Sequence, residues 1–425
     1  MLVQPAAPNP ATLFVRGARQ LVTMRGPAPR RGLSCSDLGV IRDGALLIED
    51  GRIAEVGSTR RIENLRKARS AHLIDVTGKV VLPGLIDGHM RLAPGAPRLQ
   101  AFERRIAGLP PPVPAAPRSS DRASAWQRAR RWVHLAASSG ATTVEVRYGQ
   151  GGGTLQELRA LRSAAKLDGD PIEVLVGFSV RSPAQAEAPA PAYDRVDEVL
   201  RRGSSPVRLA SAFALDCTGG TVDLALARRL LSAASQHGYH TKIHDDGSRA
   251  EAGVLLAVET RARSAEGLSA AGEASAELLA RSSTVAVLLP NAELELGGAR
   301  FAPARLLIDR GAALAIASGF CPEDRPGFGL PMAMALGCRE MRLMPEEALT
   351  CCTINAAVAL GLDSRIGSLE PNKQADLAVF DVADYREIPY FFGVNLCLLT
   401  MKRGRVVYHA GDLAASLTGG DGKEP

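Results

Sequence analysis

Between Val81 and Leu362 the chain alternates short apolar runs with Ala-, Leu- and Arg-rich helical stretches, and few folds accept that alternation over such a length. Thr142-Thr143-Val144-Glu145-Val146 leads into a helical segment near Leu155 to Lys166 and then into Ile172 to Phe178. Further apolar runs stand at Thr241-Lys242-Ile243-His244, at Val285 to Leu289 and at Ala313 to Ala317. Repeated βα units imply a parallel sheet, and this many predict an α/β fold with a closed (β/α)8 barrel over residues 81–362. Leu109 to Ser120 and Pro183 to Pro191 are too rich in proline for regular structure and read as loops.

Both flanks have a different texture. Ala45-Leu46-Leu47-Ile48 and Ile53-Ala54-Glu55-Val56 are joined through Asp50-Gly51, the signal of a tight hairpin. Ala375 to Phe380 and Lys402 to Tyr408 read as strands in the same style. The expectation is one small β-sandwich-like domain built from residues 1–80 and 363–425, with Thr418 to Pro425 as a disordered tail.

Composition excludes several classes. Hydrophobic residues make up 46% and charged residues 23%, the profile of a globular protein. Aromatics are 4%, too few for base-stacking platforms, and the net charge of +6 is scattered, so nucleic acid is not an expected partner. No apolar run is long enough to cross a bilayer, and Met1 to Pro10 lacks the pattern of a signal peptide. The seven cysteines are odd in number and form no CxxC pair, which points to a reducing cytoplasm rather than a disulfide framework.

The chemistry-bearing motif is Pro83-Gly84-Leu85-Ile86-Asp87-Gly88-His89-Met90-Arg91. Residues two apart on a strand point to one side, so positions 89 and 91 could both reach one ion. Arg91 cannot ligate, because a guanidinium has no lone pair to offer. Asp87 reads as structural, and His72, His134, His237 and His409 read as surface histidines. His240 shares a strand with His244 but sits four residues away, about 13 Å down the barrel, and reads as a core or barrel-bottom residue.

Taken together, these segments resemble the amidohydrolase superfamily and, within it, the imidazolonepropionases of histidine catabolism. The resemblance runs through Glu49-Asp50-Gly51-Arg52-Ile53, the Val81 to Asp87 run, Arg98, Phe102-Glu103, Thr142 to Glu145 and Lys242-Ile243-His244. It continues through Val285 to Pro290, Pro345 to Leu349, Gly367 to Pro371 and Ala375-Asp376-Leu377. It implies a site at the C-terminal ends of the barrel strands, where bound Zn or Fe would activate a water against a cyclic amide. It also implies a homodimer.

The resemblance carries over residue by residue to an altered site. His89 and His244 match two metal ligands, Arg91 stands where a third is expected, and Asp246 matches the acid near the strand-five histidine. The strand-six pattern Ser-Ala-Asp-His-Leu becomes Ser264-Ala265-Glu266-Gly267-Leu268, and the strand-eight aspartate becomes Gly319. On the substrate side, Tyr148-Gly149-Gln150-Gly151 stands where the family has Ser-Gly-Tyr-Gly, and Arg98 matches an arginine expected near a carboxylate. Cys321 and Asp246 are the candidates to replace a lost ligand. Arg91 either pairs with Asp246 in the place of the ion or turns to solvent or an unrelated acid. Arg98, Tyr148, Gln150 and Arg91 are the expected contacts of a small anionic ligand. The expectation is an imidazolonepropionase-like protein that has lost metal hydrolysis and keeps a binding or partner role, without a cofactor. The alternative is an active cyclic-amide hydrolase, with a rebuilt Zn or Fe site or a metal-free one.

Overall fold

The computed structural model describes residues 11–92, 97–109, 122–149, 152–181, 189–204, 207–217, 223–246, 250–295 and 301–411. Five strands open the chain: β1 (Thr12–Val22), β2 (Val40–Glu49), β3 (Arg52–Ser58), β4 (His72–Asp75) and β5 (Val80–Pro83). The β2–β3 hairpin turns at Asp50-Gly51, with φ of +47° and +75°. Both central residues are left-handed, as this turn requires, and a Cβ on Gly51 would stand 2.6 Å from the Arg403 carbonyl oxygen.

Eight further strands follow: β6 (Leu85–Met90), β7 (Ala141–Tyr148), β8 (Glu173–Arg181), β9 (Ala212–Asp216), β10 (His240–Asp245), β11 (Ser264–Gly267), β12 (Val285–Leu288) and β13 (Leu314–Ile316). Each pairs in parallel with the next, in chain order. Helices such as Thr154–Ala165 and Leu224–Gln236 cross between them, each with one apolar face buried. Asp223 caps the second by accepting from the Ala225 and Leu226 amides. Among the described residues no ladder joins β6 to β13. The two ends meet instead through Ser318 N–H donating to Asp87 Oδ1 at 3.1 Å and Arg91 N–H donating to Phe320 O at 2.8 Å. Asp87 is therefore the structural staple that its position suggested.

The chain ends in β14 (Leu377–Phe380), β15 (Cys397–Lys402) and β16 (Arg405–His409). β14 lies antiparallel to β5, so the C-terminal segment completes a mixed sheet begun at the N-terminus, in the order β16-β15-β14-β5-β1-β2-β3 with β4 on β1. A separate core of Leu13, Val15, Leu46, Ile48, Val379 and Leu399 lies under it. The α/β barrel with a composite β unit is thus the observed architecture.

One loop expectation needs correction. Pro189 does not belong to a loop: the helix Pro189–Gly203 opens there. Prolines are tolerated in a first helical turn, whose amides have no partner in the helix. Residues 182–188, most of the proline-rich segment at 110–120, and the tail at 418–425 lie outside the described residues. No helix among the described residues is long and apolar enough to cross a membrane.

Candidate functional site

The register of the barrel sets the site. His244 on β10 stands level with Asp216 on β9 and Glu266 on β11. Charged and polar residues recur at every second position: Glu145 and Arg147 on β7, Lys242 and His244 on β10, Ser264 and Glu266 on β11, with His89 on β6. All seven are buried.

All but His244 form one connected network of hydrogen bonds and ion pairs. Arg147 grips Glu266 with two nitrogens, Nη2 to Oε1 at 2.6 Å and Nη1 to Oε2 at 2.5 Å, and its Nε donates to Glu145 Oε1 at 3.1 Å. Lys242 Nζ reaches Glu145 Oε2 at 2.7 Å. Ser264 Oγ donates to Glu266 Oε1 at 2.7 Å, and His89 Nδ1 lies 2.9 Å from Glu266 Oε2. Two buried cations thus face two buried anions. Burial opposes ionisation of Glu266, but Arg147 and His89 outweigh it and hold the carboxyl well below its usual range. Burial, with the Arg147 charge beside it, pushes His89 down to about 3. A neutral ring beside a carboxylate carries its hydrogen on Nδ1 and donates it to Glu266.

Toward the mouth the contacts loosen. His244 Nε2 lies 3.0 Å from Asp246 Oδ2, and both side chains are 4% exposed. Neither Asp246 oxygen accepts a hydrogen bond, and His244 Nδ1 is also without a partner. Burial disfavours both charges, yet each group stabilises the other: His244 is raised and Asp246 lowered from their ordinary values. Arg325 Nη1 stands 3.7 Å from Asp246 Oδ2. Glu293, just beyond β12, is buried, accepts from the Ala302 amide at 2.9 Å, and leaves Oε1 unpartnered. Burial, with the Asp246 charge adding to it, pushes Glu293 up to about 8.

The residues expected at the site divide as follows. His89 and His244 come together, with ring centroids 5.1 Å apart. Arg91 does not pair with Asp246; its Nη2 lies 3.6 Å from Asp216 Oδ2. The Asp246 carboxylate instead fills the room over Gly267, where φ is +85° and a Cβ would sit 1.8 Å from Asp246 Oδ1. Gly319, at φ +64°, is similarly closed in: its Cβ would meet Ala292 Cβ at 2.9 Å. Arg98 lies 3.5 Å from Glu323, with 54% of its side chain exposed. Tyr148 is half-buried and packs among apolar residues at the rim of two core clusters. Cys321 is buried, its thiol pushed up to about 12 by burial, and it does not join the histidines. Gln150 lies outside the described residues.

Among the described residues, His89, His244 and Glu266 form the one group whose three ligand atoms lie within 4.8 Å of each other. Residues 80–407 match the amidohydrolase family model. The chain belongs to the amidohydrolase family. It is 37% identical to the imidazolonepropionase of Chloroflexus aggregans, over 94% of this chain and 99% of that one. It is 35% identical to the imidazolonepropionase of Geobacillus thermodenitrificans, over 94% and 98%. This amidohydrolase is therefore imidazolonepropionase-like, within a family whose members are typically metal-dependent. Its fold is shared with an adenosine deaminase from Xanthomonas campestris with bound Zn, at TM-score 0.69 and 19% identity, covering 97% of this chain and 98% of that one. Guanine deaminase of E. coli aligns at TM-score 0.68 and 17% identity, over 94% and 99%.

The sequence motifs pointed to His89, His244 and Asp246 but not to the ion-pair network around Glu266. Glu145, Arg147, Lys242 and Glu266 carry a signal that could have found them: charged residues alternating with apolar ones on strands that a closed barrel buries on both faces.

Proposed function

We propose that this amidohydrolase has exchanged its metal site for an internal ion-pair network and keeps the barrel mouth as a binding site for a small anionic ligand. The observation that carries this reading is the state of Glu266. Its two oxygens take two contacts from Arg147, one from Ser264 and one from His89, which fills the four lone-pair positions of a carboxylate. A catalytic zinc takes three protein ligands and a water, and with Glu266 engaged only His89 and His244 are left. The residues at 267 and 319 are glycines, at φ +85° and +64°, so neither offers the side chain that the family pattern supplies there, and the Asp246 carboxylate fills the space over Gly267. This donor set does not fit a catalytic Zn or Fe ion.

The anion would meet Arg91, Arg98 and Arg325. The backbones of all three hydrogen-bond to the single loop from Phe320 to Arg325. Their acidic partners stand 3.5–3.7 Å away, beyond hydrogen-bond reach, which leaves guanidinium donors for a carboxylate. Free cysteines throughout the described residues support a cytoplasmic setting.

A second reading, metal-free hydrolysis of a cyclic amide with Asp246 as base, is favoured by the orphaned atoms of His244 and Asp246. Against it, a carboxylate held below its ordinary range is a poor base at neutral pH. Elemental analysis of the purified chain together with an imidazolonepropionate hydrolysis assay separates the cases. The proposal expects neither a bound metal nor turnover. Near-stoichiometric Zn or Fe that disappears in His89→Ala would overturn it. Metal-free turnover abolished in Asp246→Asn would establish the second reading.

A further inference from the structure

At the opposite end of the barrel a cleft of about 280 Å³ opens beside the N-terminal ends of β10, β11 and β12. Arg261, Arg263 and His240 line it with the hydroxyl-bearing Ser235, Thr241 and Ser283, and among the described residues no carboxylate lines it. Arg263 Nε donates to His240 Nδ1 at 3.4 Å, which requires that nitrogen to be an acceptor. Burial and the cations Arg263, Lys242 and Arg208 hold His240 below its ordinary value, in keeping with a neutral ring. Among the described residues neither Arg261 nor Arg263 has an acidic partner. Most other arginines that make ion pairs here do so at 2.5–3.1 Å.

Arg261 also stands where the backbone would prefer another residue. It follows the helix Ala250–Glu259 at φ +54°. Arg261 N–H donates to Val258 O at 3.2 Å and Ala262 N–H to Ala257 O at 2.8 Å, the helix-ending arrangement that glycine usually occupies. An arginine in that conformation costs stability, and strained residues of this kind collect at ligand sites. Helix C-termini on this face would repel an anion, but their carbonyls are taken: those of Ala257 and Val258 by the amides just given, and His237 O and Gly238 O, after the helix Leu224–Gln236, by Arg208 at 3.3 and 3.1 Å.

We propose that this cleft is a second binding site, separate from the barrel mouth, for a small phosphorylated metabolite whose phosphate is held by Arg261 and Arg263. Two guanidinium forks without counter-charge match the near-double negative charge and three acceptor oxygens of a phosphate monoester. The volume lies at the low end for ligand pockets and suits a small ester rather than a nucleotide.

Isothermal titration calorimetry of the full chain with glycerol 2-phosphate, inorganic phosphate and succinate tests the assignment. The ester is expected to bind with a Kd below about 1 mM and to weaken by about tenfold or more in Arg263→Ala and in Arg261→Gly. Binding should be unchanged in Arg61→Ala, a surface arginine paired with Glu55 away from both ends of the barrel. Arg261→Gly should also unfold at a higher temperature than wild type, because glycine accepts the positive φ; weaker binding in a more stable protein separates ligand contact from damage to the fold. Absence of binding in the wild type, binding untouched by Arg261→Gly, loss of binding in Arg61→Ala, or succinate binding that weakens in Arg263→Ala as much as the ester's would each overturn the proposal.

Discussion

The barrel interior and the barrel mouth are one residue pair apart on β10, yet they treat charge in opposite ways. Among Glu145, Arg147, Lys242 and Glu266, each charged group has direct partners at 2.5–3.1 Å. At the mouth, Arg91, Arg98 and Arg325 face their acids at 3.5–3.7 Å, and Asp246 and His244 keep buried atoms with no hydrogen bond. A buried charge is tolerated only when paired and hydrogen-bonded, so the interior network is part of the fold. Loose pairs and orphaned atoms contribute little to folding and mark where an added molecule would gain most.

The largest break in that comparison is Arg147→Met. It leaves Glu266 and Glu145 buried without their shared cation, a loss of about 3–5 kcal/mol. Urea unfolding would show it as a lower midpoint or as failure to accumulate folded protein. A loss under about 1 kcal/mol would mean that the interior is no better organised than the mouth.

Glu293→Gln acts next, and its effect depends on pH. The unfolded chain releases this proton near the ordinary glutamate value, whereas the folded chain holds it up to about 8. Stability is therefore lost as pH rises between those two values. The glutamine variant has no such proton, so it should match wild type near pH 4 and exceed it by about 2–4 kcal/mol near pH 8.5. Parallel unfolding curves at the two pH values would remove Glu293 from the set of buried mouth groups.

These contrasts were only partly legible in the sequence. The Asp50-Gly51 hairpin and the βα alternation are local signals, and both strands and barrel follow from them. His89 and His244 were legible because a metal signature is a short motif. The partners of Glu266 were not, since they are fixed by register between β7, β10 and β11, whose sequences lie far apart. For Arg91 the sequence left two arrangements open, and it is the second, a turn toward an acid other than Asp246, that the structure holds. Without a side chain at Gly267 the Asp246 carboxylate turns into the vacated space, and Asp216 is left beside Arg91, a choice no local motif could make. Pro189 misled because proline breaks a helix interior but not a first turn.

Gly267→Ala tests that exchange of space directly. A methyl group at φ +85°, 1.8 Å from Asp246 Oδ1, should destabilise by about 1–3 kcal/mol. Adding Asp246→Ala removes the collision but not the backbone strain, so the double variant should recover part of the loss. A double-mutant cycle with no coupling would show that Asp246 does not fill the vacated site.

The smallest effect is expected at Arg91, whose charge first sets this chain apart from a metal signature. Its side chain is 35% exposed and its nearest acid oxygen is 3.6 Å away, so solvent screens the pair. Arg91→Ala should cost no more than about 1 kcal/mol, measured by the same urea titration. Its consequence belongs to binding: an anion at the mouth loses one of three guanidinium groups, while the interior network is untouched. If Arg91→Ala instead destabilised as much as Arg147→Met, the arginine would be a structural replacement for the ion, and interior and mouth would form a single unit.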